Sequence, residues 1–348
     1  MRAMSLERFP LIQGNESARA WLKIQGDLGL ATNTLEAYAR AVEEYLCFSQ
    51  QCKVTPDQAH RGHVAAYVCD LTSRTKTHRG RIQSTRSGIG LANATIHQRL
   101  TAVRLYYDYL VEEGIRHNNP VGRGRYTAGK GFGGGRERGL VPHHRKLPWI
   151  PNDDEWRAVI EAARQEPIRN RVMLALSYDA ALRREELCGL EVADIDPSHR
   201  LIRVRSETTK NHQERVVPYS EATGTLYSGY LRHRRDLSRE RGRLFVSESR
   251  RNRGKPVSIW TWSKVILRIA ERSQIRRFTT HTPRHLCLTD LARADWDIHE
   301  IALFAGHRSV QTTLLYIHLS GRELASKLER GMAEIHAWRT RVMKERLE

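Results

Sequence analysis

Toward its C-terminal end the chain contains HTPRH (residues 281–285) and then AGHRSVQTTLLYIH (residues 305–318). Histidines and arginines recur in both stretches, and the second places a single tyrosine, Tyr316, among threonines and leucines. A packed core rarely has this mixture, because charged side chains are seldom buried unless they are paired. Arginine forks bind phosphate oxygens, and histidines move protons near neutral pH. The two stretches therefore indicate a site for a phosphodiester.

Local signals place the first stretch at the start of a helix. Thr282 is a favoured N-cap residue and Pro283 suits the first helical position. Arg284 is then predicted in the first turn, with His281 just before it. The free N–H groups and the positive dipole end of a helix N-terminus favour an anion, and an arginine and a histidine there strengthen this preference.

A second helix junction is predicted in the later stretch. Gly306 ends one helix and Ser309 can cap the next. His307 then lies at the junction, and Tyr316 lies about two turns further on. The histidines of both stretches, with His285 among them, leave a zinc site as an alternative, but the interleaved arginines argue against it.

Two upstream stretches extend this set. ALRREEL (residues 181–187) puts Arg183 at another helix boundary, with Glu186 three positions on and able to hold an arginine by a charge-assisted hydrogen bond. Taken alone, an ordinary surface helix start explains this stretch as well. LIRVRSETTKNHQERVVPYS (residues 201–220) is typical of a β-hairpin with Lys210 in its polar turn. Together, arginines can stabilise charge on a phosphate, a lysine can protonate a leaving alkoxide, and a tyrosine can attack phosphorus.

The composition points to a polyanionic partner. The chain has 348 residues, a length that suits two domains, and 58 Lys and Arg against 39 Asp and Glu give a formal charge of +19. Nucleic acid is favoured over an anionic membrane, because no apolar run approaches the roughly 20 residues of a spanning helix. We expect no signal peptide and a cytoplasmic protein with reduced thiols. A metal site at Cys47 and Cys52 is the alternative, but no second ligand pair follows them.

The sequence predicts a mainly α-helical fold with a small β-sheet. Residues 1–14 form an N-terminal extension, and residues 15–119 form a helical domain because their apolar residues recur at helical spacing. Glycine and basic residues dominate residues 120–147, which predicts a linker. Residues 148–320 predict a mixed domain that contains the hairpin. Residues 321–348 predict a separate C-terminal helix.

The helical domain carries candidate DNA contacts. The stretch SRTKTHRGRIQSTRSG (residues 73–88) has several basic residues and no acidic one, so it is either a solvated loop or a loop that faces DNA. In the helix predicted after it, two arginines fall off the apolar stripe and are expected to face outward. The candidate DNA-binding residues are Arg74, Lys76, Arg79, Arg81, Arg99 and Arg104.

The C-terminal segment predicts an amphipathic helix, which Gly321 separates from the helix of Tyr316. Its apolar residues recur at steps of three and four residues: Leu324, Leu328, Met332, Ile335 and Trp338. Two interpretations are open. The apolar stripe packs on its own domain, or it docks on a neighbouring subunit.

Taken in order, these stretches resemble the sequence boxes of the tyrosine recombinases, also called phage integrases. The resemblance covers about residues 15–320. Ala181 stands where the family commonly has glycine, and Pro283 where it commonly has leucine, but both are backbone variations that keep every reactive group. The resemblance implies Tyr316 as the nucleophile. It implies the other catalytic residues Arg183, Lys210, His281, Arg284 and His307, supported by Glu186 and His285.

The resemblance also implies a fold, a partner and a reaction. A SAM-like core-DNA-binding domain and a mixed α/β catalytic domain are expected to form a C-shaped clamp on double-stranded DNA. A tetramer is expected on two specific recombination sites, and a monomer or dimer in the free protein. Tyr316 would leave a 3′-phosphotyrosyl link and a free 5′-hydroxyl. The two arginines would stabilise the transition state, the histidines would assist, and Lys210 would act as general acid.

The covalent link conserves the bond energy, so the resemblance implies no ATP, metal or other cofactor. Only a short extension precedes the helical domain, so a separate arm-site-binding domain is expected to be missing. This favours an Xer-like or transposon-encoded recombinase of a prokaryote, associated with the nucleoid and acting with or without accessory recombinases or DNA-bending proteins. One alternative is a type IB topoisomerase, which uses similar chemistry as a monomer. The other is a non-catalytic DNA-binding regulator, which would need neither Tyr316 nor Lys210.

Overall fold

The chain separates into two compact units, residues 1–146 and residues 147–348. The computed structural model describes residues 6–74, 77–78, 81–82, 90–122, 140–141, 147–209, 213–319 and 332–344. Among these residues, no helix has both the length and the apolar character needed to cross a lipid bilayer.

The first unit is helical, as predicted. A 3₁₀ turn, Leu6–Arg8, precedes five α-helices, and two short strands pair antiparallel after the fourth helix. The helices are α1 (Pro10–Gly14), α2 (Glu16–Asp27), α3 (Thr32–Gln51), α4 (Arg61–Ser73) and α5 (Asn93–Glu112), and the strands are β1 (Thr77–His78) and β2 (Arg81–Ile82). Phe9 and Ile12 are buried in this unit. The helical unit therefore begins before residue 15, within the segment predicted to be an extension.

The core of the first unit is rich in aromatic rings. Among its fully buried side chains are Trp21, Tyr45, Tyr67, Tyr106 and Tyr107. The hydroxyls of Tyr45 and Tyr107 lie 2.7 Å apart and form a buried hydrogen bond between α3 and α5. This pairing stabilises the core, because an unpaired buried hydroxyl is destabilising.

The second unit combines nine described helices with one small sheet. Its helices are α6 (Asp153–Arg164), α7 (Ile168–Asp179), α8 (Arg184–Gly189), α9 (Glu221–Leu237), α10 (Ile259–Arg272), α11 (Thr282–Arg293), α12 (Ile298–Ala305), α13 (Val310–Leu319) and α14 (Ala333–Lys344). Its strands are β3 (Ile195–Asp196), β4 (Leu201–Val204) and β5 (Arg215–Pro218), in the order β3-β4-β5.

The sheet contains the predicted hairpin. β4 and β5 pair antiparallel with Leu201 opposite Pro218 and Val204 opposite Arg215. The short edge strand β3 was not predicted. Along β5 the side chains alternate between buried and exposed, so that Arg215 lies on the same buried face as Val217. The predicted turn residue Lys210 lies outside the described residues.

The C-terminal helix α14, Ala333–Lys344, lies within the predicted segment of residues 321–348. α14 exposes the predicted stripe residues Ile335 and Trp338, and also Val342 and Met343. Met332 is half-buried, while the predicted Leu324 and Leu328 lie outside the described residues.

Candidate active site

Arg183 is positioned by a sharp turn between α7 and α8. Ala181 in this turn is fully buried and has φ of +45°, in the left-handed region that favours glycine. This conformation accounts for the glycine that the family commonly has at this position. Arg183 then serves as the N-cap of α8, and its backbone N–H donates to Oε2 of Glu186 at 2.9 Å.

The carboxylate of Glu186 is fully buried between two arginines. Nη1 of Arg183 donates to its Oε1 at 2.8 Å, and Nη2 of Arg215 donates to its Oε2 at 2.7 Å. Burial by itself would raise the pKa of Glu186. The hydrogen bond and charge of Arg215, together with Arg183, instead lower this pKa to about 2. The group is therefore a permanent anion that fixes both guanidinium groups.

Arg284 lies in the first turn of α11 and is 4% exposed. Its guanidinium donates to the backbone oxygen of Ala181, to that of Ala305 at 2.6 Å, and to Nε2 of His307 at 3.1 Å. Burial, followed by the charge of Arg183, lowers the pKa of Arg284 to about 10, so the group stays charged near neutral pH. This arginine therefore joins the turn before α8 to the end of α12.

The predicted helix start at Arg284 is correct to within one residue. α11 begins at Thr282, with His281 rather than Thr282 as the N-cap and Pro283 still in the first turn. The hydroxyl of Thr282 accepts from the backbone N–H of Thr279 at 2.9 Å, so it points away from the helix it was predicted to cap.

His307 lies at the predicted junction between α12 and α13. Gly306 ends α12 with φ of +63°, as the sequence predicted. Because a guanidinium only donates, Nε2 of His307 accepts from Arg284, and Nδ1 must carry the proton that it shares with the buried hydroxyl of Thr313 at 2.9 Å. Burial, with the charge of Arg284, lowers the pKa of His307 to about 3, so its ring is neutral near pH 7.

Tyr316 on α13 lies between two histidine rings and is 4% exposed. Its ring centroid is 5.8 Å from that of His307, with an interplanar angle of 8°, and 5.7 Å from that of His285. Its hydroxyl lies 3.0 Å from Nδ1 of His285. Burial raises the pKa of Tyr316 and lowers that of His285 to about 4. The neutral phenol therefore donates to the neutral imidazole.

These contacts bring together six of the eight predicted catalytic and supporting residues: Arg183, Glu186, Arg284, His285, His307 and Tyr316. His281 is exposed at the N-cap of α11, and its ring lies 6.3 Å from that of His285. Lys210 lies outside the described residues. The zinc alternative has no support in the part of the chain that the structure describes, where no group of three or more His, Cys, Asp or Glu residues is placed to hold a metal ion.

Three of the predicted DNA-binding arginines of the first unit contact other residues of that unit. Arg99, expected to face outward, is 24% exposed in its side chain and pairs with Glu44 of α3. Arg74 also pairs with Glu44. Arg104 is half-buried, with Nε 3.4 Å from the backbone oxygen of Val121. Glu44 lies on another helix, so the periodicity of a single helix could not reveal its two pairings, and Arg74 also pairs with Asp70 of α4. Structure is not described for Lys76 and Arg79, nor for the side chain of Arg81.

Sequence reasoning missed two residues of this site, Arg215 and Thr313. Arg215 has a signal in the sequence, since strand alternation puts it on the face of Val217 and a buried arginine requires an anionic partner. Thr313 has no comparable signal. Its contact with His307 depends on how the chain turns between α12 and α13.

The two lowered histidine pKa values predict that acid destabilises the second unit. The pKa values of His285 and His307 are about 4 and about 3 in the folded protein, against an ordinary value of 6.5. The unfolded chain therefore binds more protons below about pH 6.5, and the free energy of unfolding falls as pH is lowered from there toward 4. At pH 5 we expect about 1 kcal/mol of loss for each histidine, after allowing for partial solvent exposure.

Urea unfolding at pH 7.5 and pH 5.0 measures this loss. His285→Asn should lose part of the difference between the two pH values, whereas His299→Asn, at an exposed position, should retain it. An equal pH dependence in the wild-type protein and in His285→Asn would contradict the assignment.

Comparison with known proteins identifies the family of the chain. The model of the phage integrase family matches residues 152–323, and that of the phage integrase N-terminal SAM-like domain matches residues 21–114, so that together they cover about three quarters of the chain. Tyrosine recombinase XerC of Thermodesulfovibrio yellowstonii is 26% identical over 310 residues, which are 85% of this chain and 89% of that protein. Tyrosine recombinase XerA of Pyrococcus furiosus is 31% identical over 189 residues, which are 54% of this chain and 63% of that protein.

Two solved structures share the fold. The XerH recombinase bound to a palindromic difH substrate has a TM-score of 0.63 at 18% identity, covering 85% of this chain and 79% of that one. The integrase of transposon Tn1549 in complex with a circular intermediate DNA has a TM-score of 0.64 at 14% identity, covering 86% and 94%. With the sequence matches to both domains, the chain belongs to the phage integrase family of tyrosine recombinases, which are DNA strand-transferring enzymes.

Proposed function

We propose that this protein is a site-specific recombinase that cleaves and rejoins double-stranded DNA through a covalent 3′-phosphotyrosyl intermediate on Tyr316. The observation that carries this proposal is the hydroxyl of Tyr316 at 3.0 Å from Nδ1 of His285, beside the buried guanidinium of Arg284. A nucleophile, a neutral proton acceptor and a fixed cation are the groups that attack on a phosphodiester requires.

In the proposed step the phenolic oxygen of Tyr316 forms a bond to phosphorus and the bond from phosphorus to the 5′-oxygen breaks. The phenolic proton passes to Nδ1 of His285, and Lys210 gives a proton to the leaving 5′-oxygen. The products are a 3′-phosphotyrosyl link and a 5′-hydroxyl. Rejoining is the same step in reverse, with a 5′-hydroxyl of the second DNA site as the attacking group.

Arg183 and Arg284 supply the positive charge in this step. Within the part of the chain that the structure describes, Arg183 donates one Nη1–H to Glu186 and one Nη2–H to Gly306, which leaves three N–H groups for non-bridging phosphate oxygens. Both guanidinium groups are already held before DNA arrives. Little reorganisation is then needed as negative charge develops on the phosphate.

Double-stranded DNA is the proposed partner because the chain carries a formal charge of +19. We propose that its sites are the ends of a mobile element, in line with its structural likeness to the Tn1549 transposon integrase. A second candidate is a site of the difH kind, in line with the structural likeness to the XerH recombinase bound to difH. Sequencing of the DNA that is covalently trapped on the protein in its host distinguishes the two candidates.

The proposed function is tested on a duplex that carries the recombination site and a nick beside the scissile phosphate. Loss of the short fragment blocks rejoining, so the wild-type protein should accumulate as a protease-sensitive adduct on a 3′-phosphate. A second arm mixes two intact sites. Holliday junctions between them support a recombinase, whereas relaxation of supercoils without junctions supports a topoisomerase. If the nicked site is bound tightly and no adduct forms, the protein is a DNA-binding regulator.

We further propose that α14 docks on a neighbouring subunit in a tetramer on two DNA sites. Four large apolar side chains of this helix are exposed in the single chain: Ile335, Trp338, Val342 and Met343. Burying them on a partner would contribute several kcal/mol, at about 1.5–3 kcal/mol for each fully buried side chain.

A chain that ends after residue 320 should stay folded and bind one DNA site with unchanged affinity, but it should not pair two sites. Native gels with one and with two labelled sites measure this. If the truncated protein unfolds or loses single-site binding, α14 belongs to its own core.

A further inference from the structure

We propose that Arg215 is a positioning residue for strand transfer, which holds the carboxylate of Glu186 and through it the guanidinium of Arg183. The inference rests on the proposed function, in which Arg183 binds the scissile phosphate. It assigns a role to a buried arginine at the start of β5. This arginine is neither the nucleophile nor a residue that binds the phosphate.

The side chain of Arg215 is 6% exposed and binds Glu186 at two points. Nη1 donates to Oε1 at 3.1 Å and Nη2 donates to Oε2 at 2.7 Å, which is the parallel fork that fixes a carboxylate in both position and plane. The third nitrogen of the guanidinium is also bound, because Nε of Arg215 donates to the backbone oxygen of Phe304 at 3.0 Å. The guanidinium is therefore held on three sides.

The carboxylate of Glu186 has no acceptor position left over. Oε1 accepts from Nη1 of Arg183 and Nη1 of Arg215, while Oε2 accepts from Nη2 of Arg215 and the backbone N–H of Arg183. Four hydrogen bonds saturate a carboxylate. Half of them come from Arg215, so this residue prevents Glu186 from turning toward Arg183 with both oxygens.

Three arginines converge on the end of α12. Arg215 binds the backbone oxygen of Phe304, Arg284 that of Ala305, and Arg183 that of Gly306. The C-terminal end of a helix carries negative partial charge on its free carbonyls, which attracts cations. Arg215 occupies the first of these three carbonyls, so the side chain that holds Glu186 also contacts the helix end that Arg183 binds.

Without the fork of Arg215, the buried carboxylate would keep Arg183 as its nearest cationic partner. A buried carboxylate that loses the two hydrogen bonds of this fork binds its other donor more closely, because unsatisfied acceptor oxygens in a core are unfavourable. Arg183 would then turn N–H groups toward Glu186 that the phosphate needs. The expected signature is slower cleavage of bound DNA, with little change in how tightly the DNA is bound.

The test uses Arg215→Lys in the full chain, which keeps the charge and loses the fork. Single-turnover cleavage of the nicked duplex at saturating DNA should fall by roughly 10- to 100-fold, the range expected when a catalytic group is displaced by about 1 Å. DNA affinity should stay within about threefold. The matched control is Arg203→Lys, since Arg203 on β4 makes a similar fork with Glu214, but with a side chain that is 59% exposed. This control should cleave at the wild-type rate.

A double variant separates positioning from mere stability. If Arg215 acts through Arg183, then Arg183→Lys combined with Arg215→Lys should cleave no more slowly than Arg183→Lys alone. Multiplied effects would overturn the proposal, and so would a wild-type cleavage rate in Arg215→Lys. Thermal unfolding of each variant identifies a folding defect, and a lowered unfolding temperature that accounts for the whole loss of cleavage would also overturn it. Failure of the proposed function itself looks different, since the wild-type protein would then form no adduct.

Discussion

Tyr316→Phe should form no covalent adduct with DNA, while it still binds its site. The substitution removes the hydroxyl that attacks phosphorus and leaves the ring between His285 and His307. The fold should tolerate it, because the ring stays in place and the lost hydrogen bond to Nδ1 of His285 is worth about 0.5–1.5 kcal/mol. We therefore expect adduct formation to be abolished and the unfolding temperature to change by a few degrees at most.

The measurement is denaturing electrophoresis of the nicked duplex after incubation with each protein. The matched control is Tyr178→Phe, because Tyr178 packs in the same cluster and its hydroxyl donates to Asp290 at 2.8 Å. The control variant should still form the adduct. An adduct at the wild-type yield in Tyr316→Phe would exclude this tyrosine as the nucleophile.

Arg284→Lys should slow cleavage by about three orders of magnitude or more, within the range seen when a transition-state arginine is removed from phosphoryl transfer. A lysine carries the charge but cannot reach Ala181, Ala305 and His307 together with a phosphate oxygen. His307 would also lose the donor that keeps its Nε2 an acceptor. DNA affinity should fall much less than the cleavage rate.

A sulfur atom in place of the bridging 5′-oxygen separates the role of Arg284 from that of the proposed acid. A thiolate leaves without protonation, so Lys210→Ala should be slow on normal DNA and largely recovered on the sulfur substrate. Arg284→Lys should stay slow on both substrates, because the non-bridging oxygens still need their cation. Recovery of Arg284→Lys on sulfur, or equal impairment of Lys210→Ala on both, would reassign these residues.

The sequence predicted those parts of the site that depend on local signals. The break between α7 and α8, the hairpin of β4 and β5, and the end of α12 at Gly306 are confirmed. Each follows from residues within a few positions, such as a glycine that adopts a positive φ. The predicted N-cap of α11 was wrong by one residue. A hydroxyl such as that of Thr282 can bond to the backbone before it as well as to the helix after it, and the local sequence does not decide between the two.

Contacts between distant segments could not be predicted in this way. Arg99 lies off the apolar stripe of α5, which predicts an outward-facing cation, yet Glu44 on α3 draws it into an ion pair. Arg215 is 29 positions from Glu186, and Arg183 is 123 positions from Gly306. Periodicity gives the face of an element on which a residue lies. It does not give the element that packs there.

The shared anchor of the three arginines at the end of α12 has a consequence for regulation. Because Phe304, Ala305 and Gly306 are consecutive, a small rotation of this one helix would move all three guanidinium groups at once. α13, which carries Tyr316, packs directly on α12. Binding of a neighbouring subunit to this helix pair would therefore displace Tyr316 and the three guanidinium groups together. The nucleophile and the three arginines would then change position together, so that the site is either assembled or displaced as a whole.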